Sequence, residues 1–138
     1  AVPMVATLSL TFDELDHQTA SMTLPDQSAY HNHVGGPHAG AMFTLAESAS
    51  GALVLANFGD RLGDATPLAV EATIRYLKLA MGPVTATARM MRSGEEILAE
   101  LDRGGRPEFL VEIDLTSSDG TVTGQMTIVW TLKPNKRS

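Results

Sequence analysis

The sequence predicts an α+β domain in which an antiparallel sheet of about six strands wraps around one long central helix. Three observations carry that expectation. Apolar residues recur with period two in several stretches on both sides of one long apolar segment, residues 39–58. That segment is apolar on every face, which marks a helix enclosed by the rest of the chain rather than one lying on its surface. The order of elements is strand, strand, long helix, then four strands with a short helical insert, and that order suits antiparallel pairing about one helix.

Between residues 6 and 24, Leu8, Leu10 and Phe12 alternate with Thr7, Ser9 and Thr11. After a polar break at 13–17, Ala20, Met22 and Leu24 alternate with Thr19, Ser21 and Thr23, so two strands with a tight connection are expected. Pro25 and Asp26 end the second strand, and a loop or short helical turn leads to Asn32. Gly35-Gly36-Pro37 then breaks the chain ahead of the long helix, where a proline costs no hydrogen bond. Gly36 reads as ordinary turn chemistry.

On a helical wheel Met42, Leu45, Ala46, Ala49, Ala52, Leu53 and Ala56 form one face of the helix. Gly40, Thr44, Glu47, Ser48, Gly51 and Leu55 form a thin, mildly polar one. A loop over 59–67 follows, then strand patterns at 69–80, 84–91, 108–115 and 121–132, the last with Val122, Met126, Ile128, Trp130 and Leu132 facing away from Thr123, Gln125, Thr127 and Thr131. Ser118-Asp119-Gly120 supplies a hairpin turn. Over 93–104, Ser93 and Glu96 have capping-box spacing, Ile97, Leu98 and Leu101 form a narrow apolar stripe, and Gly104 ends a short surface helix. The basic tail, 133–138, is expected to fray.

The length of 138 residues suits a single domain, 1–138. A net charge of −6 argues against a general nucleic-acid binder, which needs a basic face. The absence of cysteine removes thiol nucleophiles, thiolate metal sites and disulfides. Residues 39–58 approach the length of a membrane span, but Glu47, Thr44, Ser48, Ser50 and Asn57 make it a poor one, so no membrane is expected. No basic region followed by an apolar run opens the sequence, and a cytoplasmic protein is expected.

Glu47 is the anomaly. Histidines aside, it is the single charged residue between Tyr30 and Gly59, and an acid inside an apolar helix is costly unless paired or functional. The spacing Asn32-x-x-Gly35-x-x-His38-Ala39-Gly40, with Glu47 nine positions after His38, resembles the signature of the hot-dog acyl-CoA thioesterases. The likeness is to the branch of the phenylacetyl-CoA and 4-hydroxybenzoyl-CoA enzymes and extends to the element order over nearly the whole chain. It implies the hot-dog fold and hydrolysis of an acyl-CoA thioester to free acid and thiol. Glu47 would be the catalytic carboxylate, as general base on water or as nucleophile. The Ala39 N–H at the positive helix end would polarise the carbonyl. Asn32 would position water or substrate, and His38 would brace the loop, with Gly35, Gly40 and Thr44 beside the substrate.

The resemblance further implies a site shared between two subunits, hence a homodimer or a dimer of dimers. It implies no metal and no cofactor beyond the coenzyme A of the substrate. The chain departs from the pattern in two ways: Ala39 replaces a glycine, and Gly51 and Ala69 stand where a helper serine or threonine is usual. Thr44, Ser48 or Thr66 could substitute. Arg75, Lys78, Arg89 and Arg92, read as lying on adjacent strands, are the candidates to meet coenzyme A phosphates. Phe43, Phe58, Met90 and Met91 are candidates for an acyl tunnel or for core. The competing readings are a metal site built from His31, His33, His38 and Glu47, a non-catalytic acyl-CoA or lipid-binding module, a hydratase or dehydratase, and a dimerising scaffold.

Overall fold

A computed structural model describes residues 2–136 of the chain. Its elements are α1 (Pro3–Thr7), β1 (Thr11–Leu15), β2 (Thr19–Leu24), α2 (Ala39–Phe58), β3 (Ala65–Tyr76), β4 (Val84–Met90), α3 (Gly94–Asp102), β5 (Glu108–Ser117) and β6 (Val122–Pro134). The strands form one antiparallel sheet in the order β1-β2-β4-β5-β6-β3. Helix α2 packs chiefly on β2, β4 and β5. This is the expected hot-dog arrangement, and α2 spans the residues that the sequence assigns to it.

The sheet covers one face of the helix and not every face as its composition suggests, and Leu55 on the other face is 52% exposed. Leu45, Ala46, Ala49 and Leu53 are wholly buried, and each leucine-sized side chain so buried contributes roughly 1.5–3 kcal/mol. Phe58 closes the far end of the helix, its ring edge-on to Phe109 with centroids 5.4 Å apart. By length and composition Ala39–Arg61 could cross a membrane, yet the strands occupy the face that lipid would need. Phe58 is therefore core rather than tunnel, and Phe43 packs half-buried against the same cluster.

The N-terminal strand pattern is overturned in part. Residues 3–7 are helical, with Pro3 in the first turn, where its missing N–H is harmless. Ser9 adopts φ 55°, which turns the chain before β1 begins at Thr11. The expected polar break at 13–17 shrinks to a hairpin turn, because Oδ1 of Asp16 accepts from the Gln18 and Thr19 N–H groups at 2.7 and 2.8 Å.

Strand β3 begins four residues earlier than its alternation suggests and ends four earlier, at Tyr76. Pro67 lies within it, which is tolerated because β3 is a sheet edge with no ladder on one side. Thr123 and Thr131 are buried along with the apolar set of β6, their hydroxyls donating to the Leu115 and Pro107 carbonyls at 3.4 and 2.8 Å. The tail is ordered further than expected. Lys133 and Pro134 extend β6, and Asn135 accepts from Thr66 Oγ1 at 2.7 Å. Arg137 and Ser138 lie outside the described residues. Helix α3 forms as expected, with the Ser93 hydroxyl accepting from the Glu96 N–H at 3.2 Å and with Ile97 and Leu101 buried.

Candidate active site

The loop ahead of α2 is organised by Asn32. Its Oδ1 accepts from the N–H groups of Val34 (3.0 Å) and Gly36 (3.1 Å), and its Nδ2 donates to the Pro37 carbonyl at 3.4 Å. The backbone closes the same loop, Asn32 N–H donating to the Gly36 carbonyl at 2.7 Å and His38 N–H to the Tyr30 carbonyl at 2.7 Å. Asn32 is thus the brace of the loop, the task that the sequence reading gives to His38. Gly35 sits at φ 81° with open space around it, the left-handed turn that glycine suits.

Gly36 is not ordinary turn chemistry. A Cβ there would lie 2.2 Å from the Ala80 carbonyl oxygen, so the residue is glycine because two backbone segments touch. The loop is thereby pressed against the chain that leaves β3.

His38 caps the helix, its Nδ1 accepting from the Gly40 N–H at 2.8 Å. The Ala39 N–H donates to no acceptor among the described residues, as expected of a group in the first helical turn. Its carbonyl accepts from the Tyr76 hydroxyl at 3.0 Å. Ala39 opens on a cavity of about 330 Å³ lined also by Asn32, Met42, Tyr76, Lys78 and Leu79. A free N–H at the positive end of a twenty-residue helix is suited to hold developing negative charge.

Glu47 lies elsewhere on the helix, half-buried beside a second cavity of about 520 Å³. Ser48, Gly51, Leu55, Phe12 and Trp130 line that cavity with it. Among the described residues the carboxylate has no ion pair and no hydrogen bond, and burial alone pushes its pKa up. The result is a carboxylate with raised basicity at an apolar wall. Of the three hydroxyls that could serve it, Thr44 donates to the Gly40 carbonyl (3.0 Å) and Thr66 to Asn135 (2.7 Å). Only Ser48 shares its cavity.

Ala39 and Glu47 do not meet within one chain. Eight residues of helix separate them, about 12 Å along the axis at ~1.5 Å per residue, whereas one reacting carbonyl must lie within about 3 Å of its donor. They line different cavities.

The cations are not gathered either. Strands β3 and β4 are separated by β6 and β5, so Arg75 and Arg89 are not on neighbouring strands. The sequence reading took consecutive strands for adjacent ones, and the helical crossover places β3 at the far edge instead. Arg89 is held by Asp114 (3.1 Å) and Glu112 (3.7 Å), and Arg92 by Glu100 (2.8 Å). Both arginines, with Met90 and Met91, line a third cavity near α3 and not that of Glu47. Lys78 alone joins the Ala39 cavity. His31 pairs with Asp26 at 2.7 Å, and among the described residues no three His, Cys, Asp or Glu are grouped to hold a metal ion.

Comparison with known proteins places this geometry. Residues 1–132 match the family described as "Domain of unknown function (DUF4442)". The chain belongs to DUF4442. No curated protein matches it. A Pseudomonas aeruginosa protein described as of unknown function and a "probable thioesterase" is 28% identical, with a TM-score of 0.86 over 97% of this chain and 89% of that one. A second Pseudomonas aeruginosa protein, a thioesterase crystallised as a mutant, is 22% identical with a TM-score of 0.77 over 96% of this chain and 86% of that one. The E. coli PaaI protein of the phenylacetic acid degradation operon is 16% identical with a TM-score of 0.74, covering 96% of this chain and 84% of that one. The DUF4442 chain thus has the fold of the hot-dog thioesterase superfamily.

Two features of the DUF4442 chain escape a reading by pattern. Tyr76, which the strand pattern at 69–80 does not single out, reaches the first turn of α2. Helix α1 brings Val2, Val5 and Ala6 over the Glu47 cavity. Pro3 is the one local signal for that helix, and the alternation around it hides it.

Proposed function

We propose that the protein hydrolyses an acyl-CoA or related thioester to the free acid and thiol. The observation that carries this reading is the unpaired, half-buried Glu47 carboxylate beside an apolar cavity, its pKa raised by burial. Its relatives in fold support the same class of reaction, two of them being described as thioesterases.

Glu47 takes a proton from water as the water oxygen bonds to the thioester carbonyl carbon. The carbonyl oxygen, now negative, is held by the Ala39 N–H. The carbon–sulfur bond then breaks, and the proton on Glu47 passes to the departing thiolate. Because Glu47 and Ala39 of one chain stand too far apart to serve one carbonyl, the site joins Glu47 of one protomer to Ala39 of a second copy. A homodimer, alone or paired again, is therefore the working unit. Its contact is the free edge of β3, where Leu68, Val70 and Tyr76 are 40%, 51% and 48% exposed. A long apolar edge strand of this kind calls for a partner. Lys78, beside Ala39, would meet the phosphate-bearing end of the substrate.

Release of free thiol from short, long and aromatic acyl-CoA substrates tests the assignment, run in parallel on Glu47→Gln. Loss of general-base assistance should slow hydrolysis by about 10²–10⁴-fold. Hydrolysis of a good substrate by Glu47→Gln at the parent rate would overturn it. Tight acyl-CoA binding without thiol release by the parent would instead favour a non-catalytic binding module.

A further inference from the structure

Beyond the reaction, the cavity beside Glu47 carries information about the acyl group. Among the described residues, every residue lining it apart from Glu47 and Ser48 is apolar or glycine, and no lysine or arginine reaches it. Helix α1 forms its roof and is fixed there by the Tyr30 hydroxyl, which donates to the Thr7 carbonyl at 3.0 Å. The Trp130 indole forms a wall, itself 7% exposed.

Gly51 lies between that wall and the acid. A Cβ at position 51 would sit 3.9 Å from Glu47 Oε1 and 3.9 Å from Trp130 Cη2. The missing side chain therefore leaves open the passage from the carboxylate to the indole. A glycine in a helix interior is destabilising relative to alanine. Nothing in the backbone at Gly51 requires it, since its φ is ordinary and no atom approaches closely. The open passage is what the glycine provides.

We propose that this cavity receives the uncharged hydrocarbon tail of the acyl group, and that Gly51 is the residue that admits it past Glu47. The substrate class is then an uncharged, apolar acyl thioester, with the thioester at the mouth and the tail running toward Trp130 under α1. Taking a methylene as about the size of a water, with its share of about 30 Å³, an octanoyl tail occupies roughly 200 Å³. It fits within the cavity of about 520 Å³. A tail ending in a carboxylate would lose its hydration, find no counter-charge and face Glu47. This inference rests on the proposed thioesterase reading for its substrate, but its test does not depend on turnover.

The measurement is a chain-length series from acetyl- to palmitoyl-CoA, with succinyl-CoA as the charged comparison. It is read as kcat/KM for the parent and as Kd for Glu47→Gln. Each methylene that enters an apolar wall should improve kcat/KM and Kd by about fourfold, until the cavity is filled. Succinyl-CoA should fall at least about a hundredfold below butyryl-CoA. Gly51→Leu should lower the octanoyl-to-acetyl ratio by at least about tenfold. Gly51→Ala, whose Cβ meets only ordinary contacts, should lower it by a smaller factor and decides the matter if the leucine variant does not fold. A flat chain-length profile, a preference for succinyl, or an octanoyl-to-acetyl ratio unmoved by either variant would overturn the inference. If the parent releases no thiol while Kd still follows chain length, the hydrolytic reading fails and the tail site stands. If thiol is released without dependence on chain length, the reverse holds.

Discussion

The contact between Gly36 and the carbonyl of Ala80 gives the most demanding test of how the site is held. Gly36→Ala places a Cβ 2.2 Å from that oxygen, with Met81 Sδ at 3.2 Å and the Ala80 carbonyl carbon at 3.4 Å. Ordinary van der Waals contact begins near 3.4 Å, so backbone has to separate from backbone by roughly 1 Å. Overpacking of this kind costs about 1–3 kcal/mol, which for a chain of this size lowers Tm by roughly 3–12 °C. The same displacement shifts the loop that Asn32 braces, and with it the Ala39 N–H. A misplacement of about 1 Å at a reacting group lowers kcat on the order of 10²-fold. Gly35→Ala is the matched control. Its φ of 81° strains an alanine, but no atom lies near the added Cβ, so it should lose about 1–2 kcal/mol of stability and much less activity. Thermal unfolding with thiol-release kinetics on both variants separates the two effects. A Gly36→Ala protein that melts within a degree of the parent and keeps its kcat would refute the argument that the close approach positions the site.

Other outcomes follow from the same geometry. Burial raises the pKa of Glu47, so the folded state prefers the protonated acid, and its contribution to stability is complete below the unfolded value near 4.3 and lost as pH rises through the folded value. Glu47→Gln should therefore be at least as stable as the parent at pH 7, with the advantage vanishing below about pH 4; a variant less stable at pH 7 would contradict the account. The acid limb of the parent kcat/KM should likewise lie above the ordinary glutamate range when pH is varied. Ser93→Ala removes the cap on Glu96 and should lower stability by about 1 kcal/mol, read by denaturant titration. Leu68→Lys with Val70→Lys charges the free edge of β3 and should turn a dimer into monomers in light scattering and abolish turnover. An active monomer would defeat the shared site.

Much of this was legible in the residues, for identifiable physical reasons. Helix α2 was readable to the residue because its signals are local: a proline-bearing loop before it, small and apolar residues through it, a glycine after it. Glu47 stood out because burying a lone carboxylate is costly wherever it occurs. Strand β3 was displaced, because Pro67 signals a break in any strand except an edge strand, and edge position depends on topology rather than on the local chain. The grouping of Arg75 with Arg89 failed for the same reason, since the crossover through α2 carries β3 past three other strands. Gly36 was misjudged because a glycine that permits close approach looks no different, in sequence, from one that permits a turn.

That distinction bears on the site as a whole. The motif places an acid and a helix start on one helix, and the resemblance gives them to a site shared between two subunits. Helix geometry keeps the two apart within one chain, because eight residues of rise separate two groups that must touch one functional group. A sequence in which such a pair is retained makes sense if each helix supplies its start to another molecule and its acid to its own cavity. Each protomer would then offer two half-sites, one with the free N–H and Lys78, the other with the carboxylate and the tail cavity. The exposed apolar edge of β3 and the unpaired carboxylate are, on this view, two consequences of one design. Both are unfavourable in an isolated chain, and both would find their counterpart if a second copy docked as proposed.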